Sequence, residues 1–122
     1  MKRIVTCVLS AIFLASPMLA DAAKNFMRCQ ICHGKYGEKP MASRNAPNTL
    51  SRETIVYSLT NYRDKFDLVS GNVKQMATNV KNYSNQDIEE IADYIVKINE
   101  ERENEEREAK ADVAAEQKTR KN

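Results

Sequence analysis

The chain has 122 residues, of which 30% are charged, and its formal net charge is +2. This length supports one small domain, and so small a net charge predicts no nucleic-acid partner. With one histidine and three cysteines, any metal or redox chemistry must rest on few side chains.

The first 22 residues have the layout of a secretory signal peptide. Residues 2–3 are basic, residues 4–15 are mostly apolar, and Pro17 precedes the small-x-small site Ala20-Asp21-Ala22. We expect cleavage after about Ala22, a periplasmic location, and no stable membrane insertion of the mature chain. An uncleaved signal anchor is the alternative, although the apolar run is short for a membrane span.

Residues 29 to 33 read CQICH, and cleavage of the signal peptide would leave Cys29 and Cys32 as the two cysteines of the mature chain. The pattern C-x-x-C-H is a signature of c-type haem attachment. Side chains three residues apart share one side of a helical turn, so both sulfurs can reach one edge of a porphyrin. His33 then lies close enough to bind the iron. The sequence predicts one covalent haem c, with its iron bound by His33.

Other interpretations of this segment explain fewer of its residues. A thioredoxin-like pair requires a βαβ setting, and structural zinc requires four ligands where the mature chain offers three Cys or His residues. Copper(I) bound by Met27, Cys29 and Cys32 leaves His33 without a role. A simple exposed disulfide is the remaining alternative.

The segment after the motif, residues 34–48, contains two glycines and two prolines and reads as a loop. A helix is predicted from Ser51, as N-cap, to about Tyr62. Its inward residues are Ile55, Val56, Leu59 and Tyr62. A shorter helix is predicted over residues 72–81, with Val73, Met76 and Val80 on a common face.

A second axial ligand of the haem iron is usually Met or His, and no second histidine exists. Two of the five methionines lie in the predicted signal peptide. Met27 precedes the motif and is expected on the wrong side of the ring, and Met41 follows His33 by only eight residues. Met76 follows His33 by 43 residues, which is enough chain to cover the opposite face. We predict that His33 and Met76 are the axial ligands.

The clearest helix begins at Ser84, where SNQD predicts a capping box. Apolar residues then recur at helical spacing, namely Ile88, Ile91, Ala92, Ile95 and Ile98. No segment alternates well enough to predict a strand, so the fold class is all-α.

Residues 100–122 form a charged tail. They carry six basic and eight acidic residues, whereas residues 24–98 carry 11 basic and eight acidic ones. The tail is predicted either to extend the last helix or to be disordered. The domains are therefore residues 1–22 (signal peptide), 23–99 (folded domain) and 100–122 (tail).

The CxxCHG segment from Cys29 to Gly34, Phe26 before it, Met76, and SNQDIEEIADYI at residues 84–95 together resemble the small bacterial monohaem class I cytochromes c. The resemblance implies a compact cytochrome c fold of three to five helices around one haem. It also implies that Phe26 packs where the first and last helices cross. A backbone carbonyl of a proline after the motif is implied to accept a hydrogen bond from His33; Pro40 and Pro47 are both candidates, and we prefer Pro47.

These features predict an electron carrier, not an enzyme, since a six-coordinate iron has no open site for substrate. The carrier is expected to be a monomer that meets its redox partner proteins transiently at the haem edge. Candidate steering residues are Lys35, Lys39, Arg44, Lys74 and Lys81. The alternatives are a five-coordinate haem sensor or peroxidase-like protein, and a cytochrome subunit of a larger redox complex.

Overall fold

The computed structural model describes residues 17–41 and 44–121. Most of the predicted signal peptide, residues 1–16, lies outside this part of the chain. The helices are α1 (Pro17–His33), α2 (Arg52–Asp64), α3 (Gly71–Val80) and α4 (Asn85–Arg120), with short 3-10 turns at Pro47–Thr49 and Phe66–Leu68. Within the described residues there is no strand, so the all-α prediction is confirmed for them.

Helix α4 begins as its sequence predicts. The Ser84 side chain accepts a hydrogen bond from the Asp87 N–H, and the Asp87 carboxylate accepts one from the Ser84 N–H. These two bonds satisfy donors that a helix start would otherwise leave unpaired. The five predicted apolar residues of this helix are all buried. They form the centre of the hydrophobic core.

Helices α2 and α3 pack on each other and cover one side of this core. Ser51 caps α2 through a hydrogen bond from the Thr54 N–H. Lys74 and Lys81 connect α3 to Phe66, because their Nζ atoms lie 3.4 Å and 4.4 Å from the centre of that ring.

Helix α1 crosses α4 at Phe26, as the resemblance implied. The Phe26 side chain is fully buried, and its ring centre lies 5.5 Å from that of Tyr94 on α4. Ala22, the last residue of the predicted signal peptide, is also buried and belongs to α1. The position of cleavage stays a prediction.

Helix α4 is 36 residues long and continues without a break through most of the charged tail. Beyond Glu101 the half-buried Arg102 is followed by exposed residues only, up to Lys121. Ion pairs between residues four apart support this extension, including Arg102 with Glu106 at 2.6 Å and Glu116 with Arg120 at 3.1 Å. None of the described helices is long and apolar enough to cross a membrane.

Candidate functional site

A cavity of about 460 Å³ opens between helices α1, α2, α3 and α4. Cys29, Cys32, His33 and Met76, the four residues singled out from the sequence, all line it. Much of the remaining wall is apolar, from Phe26, Leu50, Ile55, Leu59, Val73, Ile91 and Ile95. The structure therefore brings residues from two distant chain segments to one apolar cavity. Its volume lies in the range of small-molecule and cofactor sites.

The orientation of His33 is set by the loop that follows it. His33 ends α1, and the loop turns back at Gly34 and Gly37, whose φ angles of 82° and 73° favour glycine. This turn places the Lys39 carbonyl oxygen 3.1 Å from His33 Nδ1. A carbonyl can only accept, so this bond requires a proton on Nδ1; in the neutral imidazole Nε2 then keeps the lone pair that a metal would use.

The carbonyl that meets His33 belongs to Lys39, so the expectation of a proline carbonyl was wrong. Lys39 directly precedes Pro40, and its own N–H also donates to the His33 carbonyl at 2.8 Å. Pro47 lies instead against Gly37, where a Cβ added to the glycine would stand 3.3 Å from the Pro47 Cβ. The tight turn after the motif thus supplies the acceptor from a nearer position than the resemblance implied.

The two cysteines are free thiols in different surroundings. Cys29 is half-buried and packs against the core, whereas Cys32 is exposed. Burial raises the pKa of the Cys29 thiol to about 11, an effect that a backbone hydrogen bond reduces and Cys32 reinforces. Reactive redox pairs depend on a thiol whose pKa is lowered. The raised pKa therefore makes Cys29 a poor attacking thiol at neutral pH.

Three methionines were candidates for the second axial position. Met27 is 62% exposed and does not line the cavity, in agreement with its exclusion. Met76 is half-buried on α3 and packs against the core. Met41 also lines the cavity although it is 42% exposed. Counting residues along the chain did not reveal that Met41 also reaches this site.

Three amide side chains of the cavity wall were not singled out from the sequence. Asn72, Gln75 and Asn79 line the cavity from α3, beside Met76. Asn72 lies four residues before Met76 and Asn79 three residues after it, which is the signal that places these two on its face. Arg28 and Arg44 add positive charge at the exposed edge of the same cavity.

No family model, no curated protein and no solved structure matches this chain.

Proposed function

We propose that the chain binds one haem covalently through Cys29 and Cys32, with His33 as an axial ligand, and serves as an electron carrier. One observation carries the proposal. The two thiols, the imidazole with its free Nε2, and a methionine sulfur all line a single apolar cavity. These are the groups that hold haem in c-type cytochromes.

The residues around the cavity fit such a group in chemistry as well as in position. Cys29 keeps its thiol protonated at neutral pH, and a neutral thiol has the hydrogen that addition across a vinyl group transfers to carbon. Haem bound here would supply an iron that passes between the ferrous and ferric states. The apolar wall would exclude water, which disfavours the extra positive charge of the ferric state.

The second axial position is proposed for Met76. Met76 is half-buried on helix α3, whereas Met41 is 42% exposed and stands in a loop. A thioether is a soft ligand that raises the reduction potential of haem iron. Arg28 and Arg44 would bind the two haem carboxylates at the edge of the cavity.

The proposed location is the periplasm, where the signal peptide would deliver the chain. Redox partner proteins would meet the exposed edge of the cavity in short-lived contacts. The lysines of the surface would steer acidic partners, and this contribution would weaken with rising salt.

The test is export of the chain in cells that carry haem-maturation machinery, followed by optical spectra of the oxidised and reduced protein. Covalent haem should survive denaturation, and Cys29→Ser with Cys32→Ser should abolish its attachment. His33→Ala should give haem-free or grossly misligated protein. Normal low-spin spectra from His33→Ala would contradict the proposed axial role of this residue.

A haem sensor or peroxidase-like function is the second candidate, and the amides of Asn72, Gln75 and Asn79 favour it. Side-chain amides can donate hydrogen bonds to a small molecule bound at an open iron. Rapid binding of carbon monoxide to the reduced protein, with high-spin bands, would support this candidate over the electron carrier.

A further inference from the structure

The Asn99 side chain joins helix α4 to the segment before α2. Its Oδ1 accepts hydrogen bonds from Asn48 Nδ2 at 3.2 Å and from Arg102 Nη2 at 3.0 Å and Nε at 3.3 Å. Its Nδ2 donates to Glu103 at 3.1 Å. Both groups of this half-buried amide are therefore used. The guanidinium of Arg102 can only donate, which fixes Oδ1 as the acceptor.

Asn48 continues this connection to the loop beside His33. Its backbone N–H donates to the Gly37 carbonyl at 3.1 Å. Gly37 is buried, and a Cβ added there would meet Pro47 Cβ at 3.3 Å and Phe26 Cζ at 3.7 Å. Two residues further on, Lys39 holds His33 through the Nδ1 bond and the backbone bond described above. Three hydrogen bonds thus link the Asn99 amide to the histidine ring, through Asn48 and residues 37–39.

We propose that Asn99 is a positioning residue for His33, acting through Asn48 and the loop of residues 34–39. The amide fixes Asn48, Asn48 fixes Gly37, and the fixed loop presents the Lys39 carbonyl to Nδ1. Asn99 stands where the buried part of α4 meets its exposed extension, at the end of the apolar pattern. The redox consequence rests on the proposed function, whereas the hydrogen bond of the ring does not.

A hydrogen bond from Nδ1 makes the imidazole a stronger electron donor at Nε2. A stronger donor stabilises ferric iron and lowers the reduction potential. Loss of the Asn99 amide should loosen the loop, weaken this bond and raise the potential. Substitution of groups that orient a metal ligand typically costs about 10- to 100-fold in metal affinity or activity.

The experiment compares the full chain with its Asn99→Leu variant. In the haem-loaded reduced protein, the Nδ1 proton of His33 should exchange with solvent about fivefold faster in Asn99→Leu, the factor that corresponds to the net loss of one hydrogen bond. The equilibrium constant for one-electron reduction of the haem iron should rise about threefold to tenfold, where a tenfold rise corresponds to a reduction potential that is 59 mV higher. Asn104→Leu is the matched control, because Asn104 is an exposed amide on the same helix, and it should leave both quantities unchanged.

Two further variants keep the test informative if Asn99→Leu folds poorly. Asn48→Ala removes the Nδ2 donor but keeps the backbone bond to Gly37, and it should shift both readouts in the same direction by less. Asn99→Asp keeps the acceptor and should keep slow Nδ1 exchange. Wild-type exchange and potential in both Asn99→Leu and Asn48→Ala would overturn the proposal.

If the wild-type chain takes up no haem, the proposed function fails, and the positioning role is tested separately. The chain has one histidine, so the ring nitrogen signals of the haem-free protein are unambiguous. The wild-type ring should be protonated at Nδ1, and Asn99→Leu should shift the population toward the Nε2-protonated form. An unchanged tautomer in that variant would overturn the role.

Discussion

His33 and Lys39 are joined by two hydrogen bonds in opposite directions. The imidazole Nδ1 lies 3.1 Å from the Lys39 carbonyl oxygen, and the Lys39 N–H lies 2.8 Å from the His33 carbonyl oxygen. The residues between them form a closed turn that depends on two glycines with positive φ. The histidine is thus oriented by its own chain, before any ligand reaches Nε2.

Substitution of Gly37 should strain this turn. In Gly37→Ala, the alanine would have to adopt the positive φ of 73° that Gly37 has. Its Cβ would also stand 3.3 Å from the Pro47 Cβ. We expect a loss of unfolding free energy above the roughly 1–2 kcal/mol of the backbone term alone. Gly71→Ala is the matched control, since Gly71 has a φ of 60° with nothing within 4 Å. Equal losses in denaturant titrations would show that the contact with Pro47 is unimportant.

The two methionines of the cavity can be separated by substitution. Met76→Ala should retain covalent haem but lose the long-wavelength band that a thioether gives with ferric haem, because the half-buried Met76 is the proposed ligand. Met41→Ala should keep the band. The optical spectra of the two oxidised variants show which methionine binds the iron. Loss of the band in Met41→Ala alone would assign the position to Met41.

The buried thiol should react slowly in the haem-free chain. The pKa of Cys29 is raised to about 11, so its alkylation rate should increase about tenfold per pH unit up to that value, as the thiolate forms. Peptide mapping after timed alkylation gives the rate at each cysteine. A plateau for Cys29 below pH 9.0 would contradict the raised pKa, since 9.0 is its ordinary value.

The same pKa shift determines whether the stability of the folded chain rises or falls with pH. Burial favours the neutral thiol in the folded chain, so the folded state holds this proton more tightly than the unfolded state does. The resulting stabilisation is complete below the unfolded pKa of 9.0 and is lost as the pH rises to about 11. Cys29→Ala should therefore lose stability less steeply over this interval than the wild-type chain.

The capping box of α4 should contribute measurably to folding. Ser84→Ala removes the acceptor of the Asp87 N–H and should cost about 1 kcal/mol of unfolding free energy. Ser70 caps α3 without a side-chain hydrogen bond, so Ser70→Ala should cost less. Thermal or denaturant unfolding of the two variants provides the comparison. Similar losses would mean that the Ser84 bond adds nothing beyond the residue preference.

The sequence predicted α2, α3 and the start of α4 because local signals agree there. Ser51 and Ser84 both cap a helix as expected, and Ile88 to Ile98 form a regular buried face. Burial of one face stabilises such a helix, and its period is visible in the residues themselves. These elements needed no knowledge of distant contacts.

The rest depended on how the chain folds back in space. Which carbonyl accepts the hydrogen bond from His33 depends on the backbone angles at Gly34 and Gly37. Glycine permits these angles, but its presence in the sequence does not specify them. Asn99 stood at the end of an apolar pattern, and its partner Asn48 lies 51 residues away. Met41 reaches the cavity for the same reason, since chain separation does not determine where a loop passes.

The exposed extension of α4 carries net charges of opposite sign along its length, and it therefore has an electric dipole. Residues 101–120 span about 30 Å when helical. Residues 100–108 carry six glutamates and two arginines, whereas residues 109–121 carry four basic and two acidic side chains. The centres of these two stretches, near residues 104 and 115, lie roughly 16 Å apart along the helix, which exceeds the Debye length of about 10 Å at 0.1 M salt. The electric field of a charged surface would therefore orient this helical extension before contact. Added salt would screen the field and abolish the orienting effect.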